Sequence, residues 1–140
     1  MAITQAMCNS FKTELLGGTH DLDTDVIKIA LYTSSATLGA STTAYTTSNE
    51  VTGSAGYTAG GNTLAGATIS LSGSTAIVDF TDTTWSSATI TARGALIYNS
   101  SKADRAIAVL DFSTDKSSTN GDFTVVFPAA DASNAIIRIA

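Results

Sequence analysis

Residues 67–80, ATISLSGSTAIVDF, decide the fold class of this chain. Apolar and hydroxyl side chains alternate through residues 67–72, and a period of two is typical of a strand with one apolar face. A second apolar stretch, residues 75–80, begins only two residues later, after Gly73-Ser74. Because a two-residue connection containing glycine favours a tight hairpin, this stretch predicts two neighbouring antiparallel strands.

Further strands are predicted on both sides of this hairpin. They cover residues 26–32, 90–98, 105–112, 123–127 and 135–139. Gly94 interrupts one of them and predicts a bulge or a close approach of another backbone. Residues 105–112 are apolar on both faces, which indicates a central strand. Seven strands without a crossover helix predict a mainly β fold, an antiparallel β-sandwich with jelly-roll or Greek-key connections.

An N-terminal α-helix is predicted within residues 1–18. Its apolar face would consist of four residues at helical spacing, Ile3, Met7, Phe11 and Leu15. Gly17-Gly18 then supplies the turn that commonly ends a helix. We expect this face to be buried against the sandwich or a second copy of the chain. Met7 and Phe11 are therefore candidate interaction residues.

Residues 33–62 do not follow the strand pattern, since large apolar side chains are scattered among Ser, Thr, Gly and Ala. Structureless connections of this length are uncommon in compact domains. One interpretation is a short edge strand at residues 42–47 followed by a surface hairpin. The other is an extended arm that orders against a neighbouring subunit, with Tyr45 and Tyr57 as amphipathic anchors. The chain is predicted to be one domain, residues 1–140, whose sandwich strands occupy residues 63–140.

Composition argues against several classes of partner. The net charge is −5, with seven Lys and Arg residues, and binding to nucleic acid depends on clustered basic residues. No apolar run approaches the roughly 20 residues that a membrane helix needs. We therefore expect neither nucleic acid nor a membrane as partner. The N-terminus shows no pattern of a secretory signal, which favours synthesis in a cytoplasm.

The residues that usually carry catalysis are scarce. His20 is the only histidine, and its polar surroundings predict a surface turn. A nucleophilic serine would need such a base, and no Gly-x-Ser-x-Gly motif is present. Cys8 is predicted to be a small buried apolar residue rather than a nucleophile. The sequence therefore predicts no catalytic residue, no cofactor and no enzyme activity.

A metal site is not predicted either. Asp21, Asp23 and Asp25 resemble the start of a calcium-binding loop, but Val26 and Tyr32 occupy the positions where that loop needs Gly and Glu. A solvated acidic turn is the preferred interpretation, and a loose calcium site is the alternative.

The 23 threonines and 17 serines favour an assembly subunit. Short side chains lose little entropy when a surface is immobilised, and they let neighbouring backbones approach closely. Threonine also has good strand propensity, so that a sheet can be polar outside and still be ordered.

Several stretches resemble small virion proteins of tailed bacteriophages. They are AMCNSFKTELLGG at residues 6–18, KIALYTSSA at 28–36, YTAGG at 57–61, IVDF at 77–80 with Trp85, and ARGALIYN at 92–99. The resemblance implies a non-enzymatic structural protein, most simply a capsid decoration or cement protein on the outer surface of the shell. It further implies a homotrimer whose partners are the major capsid protein and other copies of itself.

Two alternatives remain at this point. A tail-associated fibre or tip subunit has a similar composition, although the chain contains no shaft repeat. A carbohydrate-binding adhesion module would use Trp85, Tyr45 and Tyr57 on an exposed sheet face. The decoration protein is preferred because a short chain with an extended loop and an acidic exterior suits a site between shell subunits.

Overall fold

Residues 2–140, the part of the chain that the computed structural model describes, contain two antiparallel sheets, one short α-helix and a single 3-10 turn at Ser100–Lys102. The strands are β1 (Ala6–Met7), β2 (Ile27–Tyr32), β3 (Asn62–Thr63), β4 (Thr68–Ser72), β5 (Thr75–Asp79), β6 (Thr83–Asn99), β7 (Arg105–Val125) and β8 (Ile137–Ile139). The helix, α1, spans Asn9–Leu16. The predicted fold class, mainly β and antiparallel with one N-terminal helix, is confirmed. No helix within residues 2–140 has the length and apolar character to span a membrane.

The larger sheet has the strand order β1-β7-β6-β2-β3, and the smaller one β4-β5-β8. The β6–β7 hairpin forms the middle of the larger sheet, where residues 94–99 and 106–110 are buried. β7 has a neighbour on each side, which agrees with the central strand predicted for residues 105–112. The apolar face of β5 and β8 completes the core through Val78 and Ile137.

The β6–β7 hairpin is longer than the sequence predicts. Residues 105–112 and 123–127 were expected to form separate strands, but one strand runs from Arg105 to Val125. Hydroxyl pairs connect the polar stretches, and the side chains of Thr84 and Thr124 lie 2.9 Å apart across the two strands. Because threonine has good strand propensity, a polar stretch without apolar alternation can continue a strand that already has a paired neighbour.

Gly94 lies at a point where two backbones and a side chain meet. The β6–β7 register shifts between Ala92 and Gly94, so that β7 contains extra residues there. A Cβ atom at Gly94 would lie 2.5 Å from the carbonyl oxygen of Leu110 and 2.9 Å from the Ile3 side chain. Both the predicted bulge and the predicted close approach are confirmed.

The β4–β5 hairpin forms as predicted around Gly73-Ser74. Ser72 pairs with Thr75 and Ile69 with Val78, and Gly73 has a φ of +63°. Glycine adopts this left-handed conformation without the steric penalty that a Cβ atom brings. The two strands and the two-residue turn between them therefore form where the sequence predicts them.

The predicted helix over residues 1–18 is too long. Ala6 and Met7 instead form β1, which pairs with Val109 and Ala108 of β7. Apolar residues four positions apart also fit a strand followed by a helix, and the open edge of β7 provides hydrogen bonds for the first segment. The burial predicted for the apolar face is confirmed at Phe11, whose exposed fraction is 0%.

Candidate functional site

Residues 33–62 pack on their own domain. The Val51 amide donates to the Leu31 carbonyl, and the Thr89 amide donates to the Ala55 carbonyl, each at 2.9 Å. The segment therefore folds back over β2 and β6 of its own chain, and its contact with a neighbouring subunit stays a prediction. The predicted edge strand at residues 42–47 is reduced to a single bridge between Ala44 and Arg105.

A buried carboxylate lies at the centre of this segment. Glu50 is 3% exposed. Its Oε1 accepts a hydrogen bond of 2.6 Å from the Tyr45 hydroxyl. Its Oε2 accepts one of 2.6 Å from the Tyr57 hydroxyl and one of 2.8 Å from the Gly60 amide. We call these four residues the Glu50 cluster. Three donors satisfy the carboxylate, as a buried charge requires.

The tyrosines of the Glu50 cluster are protonated donors. Burial, followed by the hydrogen bond to Glu50, raises the pKa of Tyr45 and of Tyr57 above its ordinary value. The Tyr57 hydroxyl also accepts from the Leu31 amide at 2.9 Å. Tyr45 stacks on Tyr98 at 4.7 Å. Both hydroxyls are thus engaged within the chain, while both side chains are only half-buried. That Tyr45 and Tyr57 also contact a neighbouring subunit stays a prediction.

Glu50 was not singled out from the sequence, although one signal was available. It is the only charged residue between Lys28 and Asp79. A single charged residue within a long uncharged segment is a candidate for a buried group that forms hydrogen bonds inside the protein.

His20 is the centre of a second buried polar cluster. Its side chain is fully buried, so the predicted surface position is wrong. Nδ1 lies 3.0 Å from Asn99 Nδ2, which is a donor, and Nε2 lies 2.9 Å from Glu14 Oε1. Nδ1 therefore accepts, and Nε2 carries the proton that it donates to Glu14. Neither of these partners is a serine or a cysteine that His20 could activate, and both ring nitrogens are engaged.

The His20 cluster connects the helix to both long strands. Glu14 of α1 also accepts a 2.6 Å hydrogen bond from the Arg105 guanidinium of β7. Asn99 of β6 donates its amide to Asp25 at 2.7 Å as well as to His20. These contacts fix α1 against the larger sheet.

The acidic turn at Asp21, Asp23 and Asp25 is held by its own backbone and by Asn99. The Asp21 amide donates to Asp25 Oδ2 at 3.0 Å. The pKa of the exposed Asp23 is raised, first by its hydrogen bond to Asp21 and then by the negative charge of Asp21. Within residues 2–140, no three His, Cys, Asp or Glu residues are grouped so that they could hold a metal ion.

Cys8 is buried, as predicted, although it precedes α1 rather than lying within it. Burial, followed by the charge of Glu14, raises the pKa of its thiol to about 11. The thiolate, which is the reactive form, is therefore scarce at neutral pH.

Trp85 cannot serve as a sugar-binding platform in this structure. It is 4% exposed. Its ring packs against Tyr57 and Phe123, with centroid separations of 5.9 and 6.1 Å. Stacking on a sugar requires an open aromatic face, so the exposed aromatic face predicted for a carbohydrate-binding module is wrong.

One open apolar surface of the molecule lies where α1 ends. Leu16 is 93% exposed. It borders a shallow cavity of about 300 Å³. We call the lining residues the helix-end surface: Met7, Lys12, Leu15, Leu16, Arg138 and Ile139. Met7 is thus the candidate interaction residue that reaches an open surface, whereas Phe11 is buried in the core.

The helix-end surface continues toward the smaller sheet. A second cavity of about 300 Å³ is lined by Leu15 and Ile139 together with Ile69 of β4. Exposed apolar patches on soluble proteins mark binding surfaces. The two charged residues of the helix-end surface, Lys12 and Arg138, are basic on a chain whose net charge is −5. The surface is therefore suited to an apolar protein partner with acidic groups at its rim.

No family model, no curated protein and no solved structure matches this chain.

Acid should weaken the fold through Glu14. Burial opposes ionisation of this carboxyl, but hydrogen bonds from His20 and Arg105 outweigh it and hold its pKa below the ordinary value. A group with a lowered folded pKa stabilises the fold above its unfolded pKa, roughly 4.3 for Glu, and loses that contribution as the pH falls through the folded value. We therefore expect the free energy of unfolding to decrease below about pH 4.

Urea unfolding at a series of pH values tests this expectation. Glu14→Gln should flatten the acid limb of the stability curve, because it removes the titrating carboxyl. Asp115→Asn, at a solvent-exposed pair with Arg93, is the matched control and should leave the limb unchanged. An acid limb that Glu14→Gln does not alter would refute the role of this carboxyl.

Proposed function

We propose that this chain is a non-enzymatic structural protein of a bacteriophage virion, a capsid decoration or cement protein. It binds the major capsid protein on the outside of the shell through the helix-end surface. The observation that carries the proposal is the exposure of Leu16, an apolar side chain 93% open to solvent beside Leu15 and Ile139.

A partner that covers this surface would gain the burial of apolar side chains. Covering a fully exposed leucine contributes about 1.5–3 kcal/mol. Many copies on a symmetric shell each need only a modest contact to hold neighbouring shell subunits together. The His20 cluster fixes α1 against β6 and β7, so Leu16 is presented without further ordering, which lowers the entropic cost of binding.

We propose a virion as the assembly because several stretches of the sequence resemble small virion proteins of tailed bacteriophages. The first of the resembling stretches, residues 6–18, includes Met7, Lys12, Leu15 and Leu16 of the helix-end surface. The carbohydrate-binding alternative loses its support, since Trp85 is buried and both tyrosines donate to Glu50.

Co-sedimentation with empty phage shells tests the proposal. The purified chain should sediment with assembled shells and should not bind free capsid subunits. Leu16→Asp should weaken shell binding by about 10- to 100-fold, the equivalent of losing one buried leucine. Val126→Asp is the matched control, because Val126 is also exposed, at 70%, and lines neither of the two cavities described above.

Both substitutions are at exposed positions, so the fold should be retained. Shell binding that Leu16→Asp leaves unchanged would contradict the proposed surface. Binding of the isolated chain to glycans, without binding to shells, would favour the adhesion module. Binding to tails alone would favour the tail-associated subunit.

A further inference from the structure

The outer edge of β4 has no partner strand within residues 2–140. β4 pairs with β5 on one side and is the first strand of the sheet order β4-β5-β8. Ile69 and Leu71 are 52% and 72% exposed. An open edge of this kind presents backbone donors and acceptors in the geometry that another strand needs.

The hairpin register shows which backbone groups point outward. In a two-residue hairpin the residues that flank the turn, here Ser72 and Thr75, form a hydrogen-bonded pair. Hydrogen-bonded and non-hydrogen-bonded pairs alternate along antiparallel strands, so Ser70 also bonds to β5. The N–H and C=O groups of Ile69 and Leu71 therefore point away from β5, toward the open edge.

None of the usual protection of an edge strand is present in β4. Natural sheets shield such edges with charged residues, proline or bulges. Residues 67–78 contain no charged residue and no proline, and the β4–β5 pairing is regular. On a chain of net charge −5, this uncharged stretch is a place where two copies can approach without bringing acidic groups together.

We propose that β4 pairs with β4 of a second copy, antiparallel and about a two-fold axis through Ser70. In this register Ile69 of one copy lies opposite Leu71 of the other, and both residues present outward backbone groups. Each of the two such pairs exchanges two N–H···O bonds, so the contact contains four. The two apolar side chains of each copy share one face and pack against those of the second copy.

The strand is thus complementary to itself, which an isologous dimer requires. Pairing joins the two small sheets into one continuous sheet of six strands and covers the open β4 edge of each copy. A two-fold contact gives a dimer, not the trimer that the resemblance implies, so the mass in solution distinguishes the two. This inference needs no shell and does not rest on the proposed function.

Sedimentation velocity over a concentration series tests the proposal. The wild-type chain should shift with concentration toward twice its mass of 14.3 kDa. Ser70→Lys should weaken this dimer at least tenfold, because it places two like charges directly opposite each other across the axis. Ser74→Lys is the matched control, since it adds the same charge to the exposed turn of the same hairpin, away from the axis.

A cysteine pair tests the register directly. Across the open edge Ser70 is a non-hydrogen-bonded position, where opposing Cα atoms lie about 4.5 Å apart, within the range for a disulfide. Ser70→Cys should form a disulfide-linked dimer under mild oxidation, and Ser74→Cys should not. The native Cys8 is fully buried and should not contribute.

A single-chain mass at all concentrations, a trimer, or a dimer that Ser70→Lys leaves intact would overturn the proposal. Failure of Ser70→Cys to cross-link in a dimeric sample would overturn the register. Because the dimer is measured without shells, its failure leaves the proposed shell binding standing, and failure of shell binding leaves the dimer standing.

Discussion

Replacing Glu50 with alanine is expected to lower the free energy of unfolding by about 3–5 kcal/mol. The substitution removes the acceptor of three hydrogen bonds and leaves the Tyr45 hydroxyl, the Tyr57 hydroxyl and the Gly60 amide without it. A buried donor left unsatisfied costs about 1–3 kcal/mol. Urea unfolding measures the loss directly.

Single-donor variants and an exposed carboxylate serve as controls for Glu50→Ala. Tyr45→Phe removes one hydrogen bond to Glu50 and should cost about 1–3 kcal/mol, less than loss of the carboxylate itself. Asp115→Ala, at an exposed carboxylate, should change stability by less than about 1 kcal/mol. If Glu50→Ala proved no more destabilising than Asp115→Ala, the cluster would not hold residues 33–62 in place.

Phe11→Ala is expected to cost about 3–5 kcal/mol. The ring is completely buried, and its centroid lies 5.0 Å from that of His20. Truncation removes apolar contacts and leaves a cavity between α1 and the sheet, and both effects destabilise the fold.

The matched control for Phe11→Ala lies on the same helix. Leu16→Ala truncates a side chain that is 93% exposed, so the unfolding midpoint should change little. Alanine has the highest helix propensity, so neither substitution weakens the helix itself. Equal destabilisation by both variants would mean that α1 is not packed as the structure describes.

The two buried clusters explain how a chain with so few charged residues presents a fixed surface. The Glu50 cluster holds the long segment over β2 and β6, and the His20 cluster holds α1 on β6 and β7. Satisfied buried polar groups favour one arrangement over its competitors, because every alternative leaves a polar group unpaired. Leu16 and its neighbours are therefore held in a fixed position on the surface, where a partner can bind them.

The fold class could be predicted because its signals are local. Alternation through residues 67–72 and a glycine-containing turn determine a hairpin and its register without reference to the rest of the chain. The N-terminal segment could not be predicted in the same way. Whether Met7 extends a helix or begins a strand depends on the open edge of β7 at Ala108, far along the sequence.

The buried clusters escaped prediction for the same reason. His20 looks like a surface residue within its own polar turn, and its partner Asn99 is 79 residues away. Tyr45 and Tyr57 are amphipathic, as residues that anchor an interface often are. Only the folded chain brings both of their hydroxyls to the Glu50 carboxylate. The exposure of Leu16 also escaped prediction, because helical spacing alone does not reveal where the core ends.

A density map of an intact particle that contains this chain tests the central claim most directly. The account predicts that the chain lies on the outer surface of the shell and that Leu16 and Ile139 contact the major capsid protein. A chain located only in the tail, or one bound to the shell with the helix-end surface facing solvent, would contradict it.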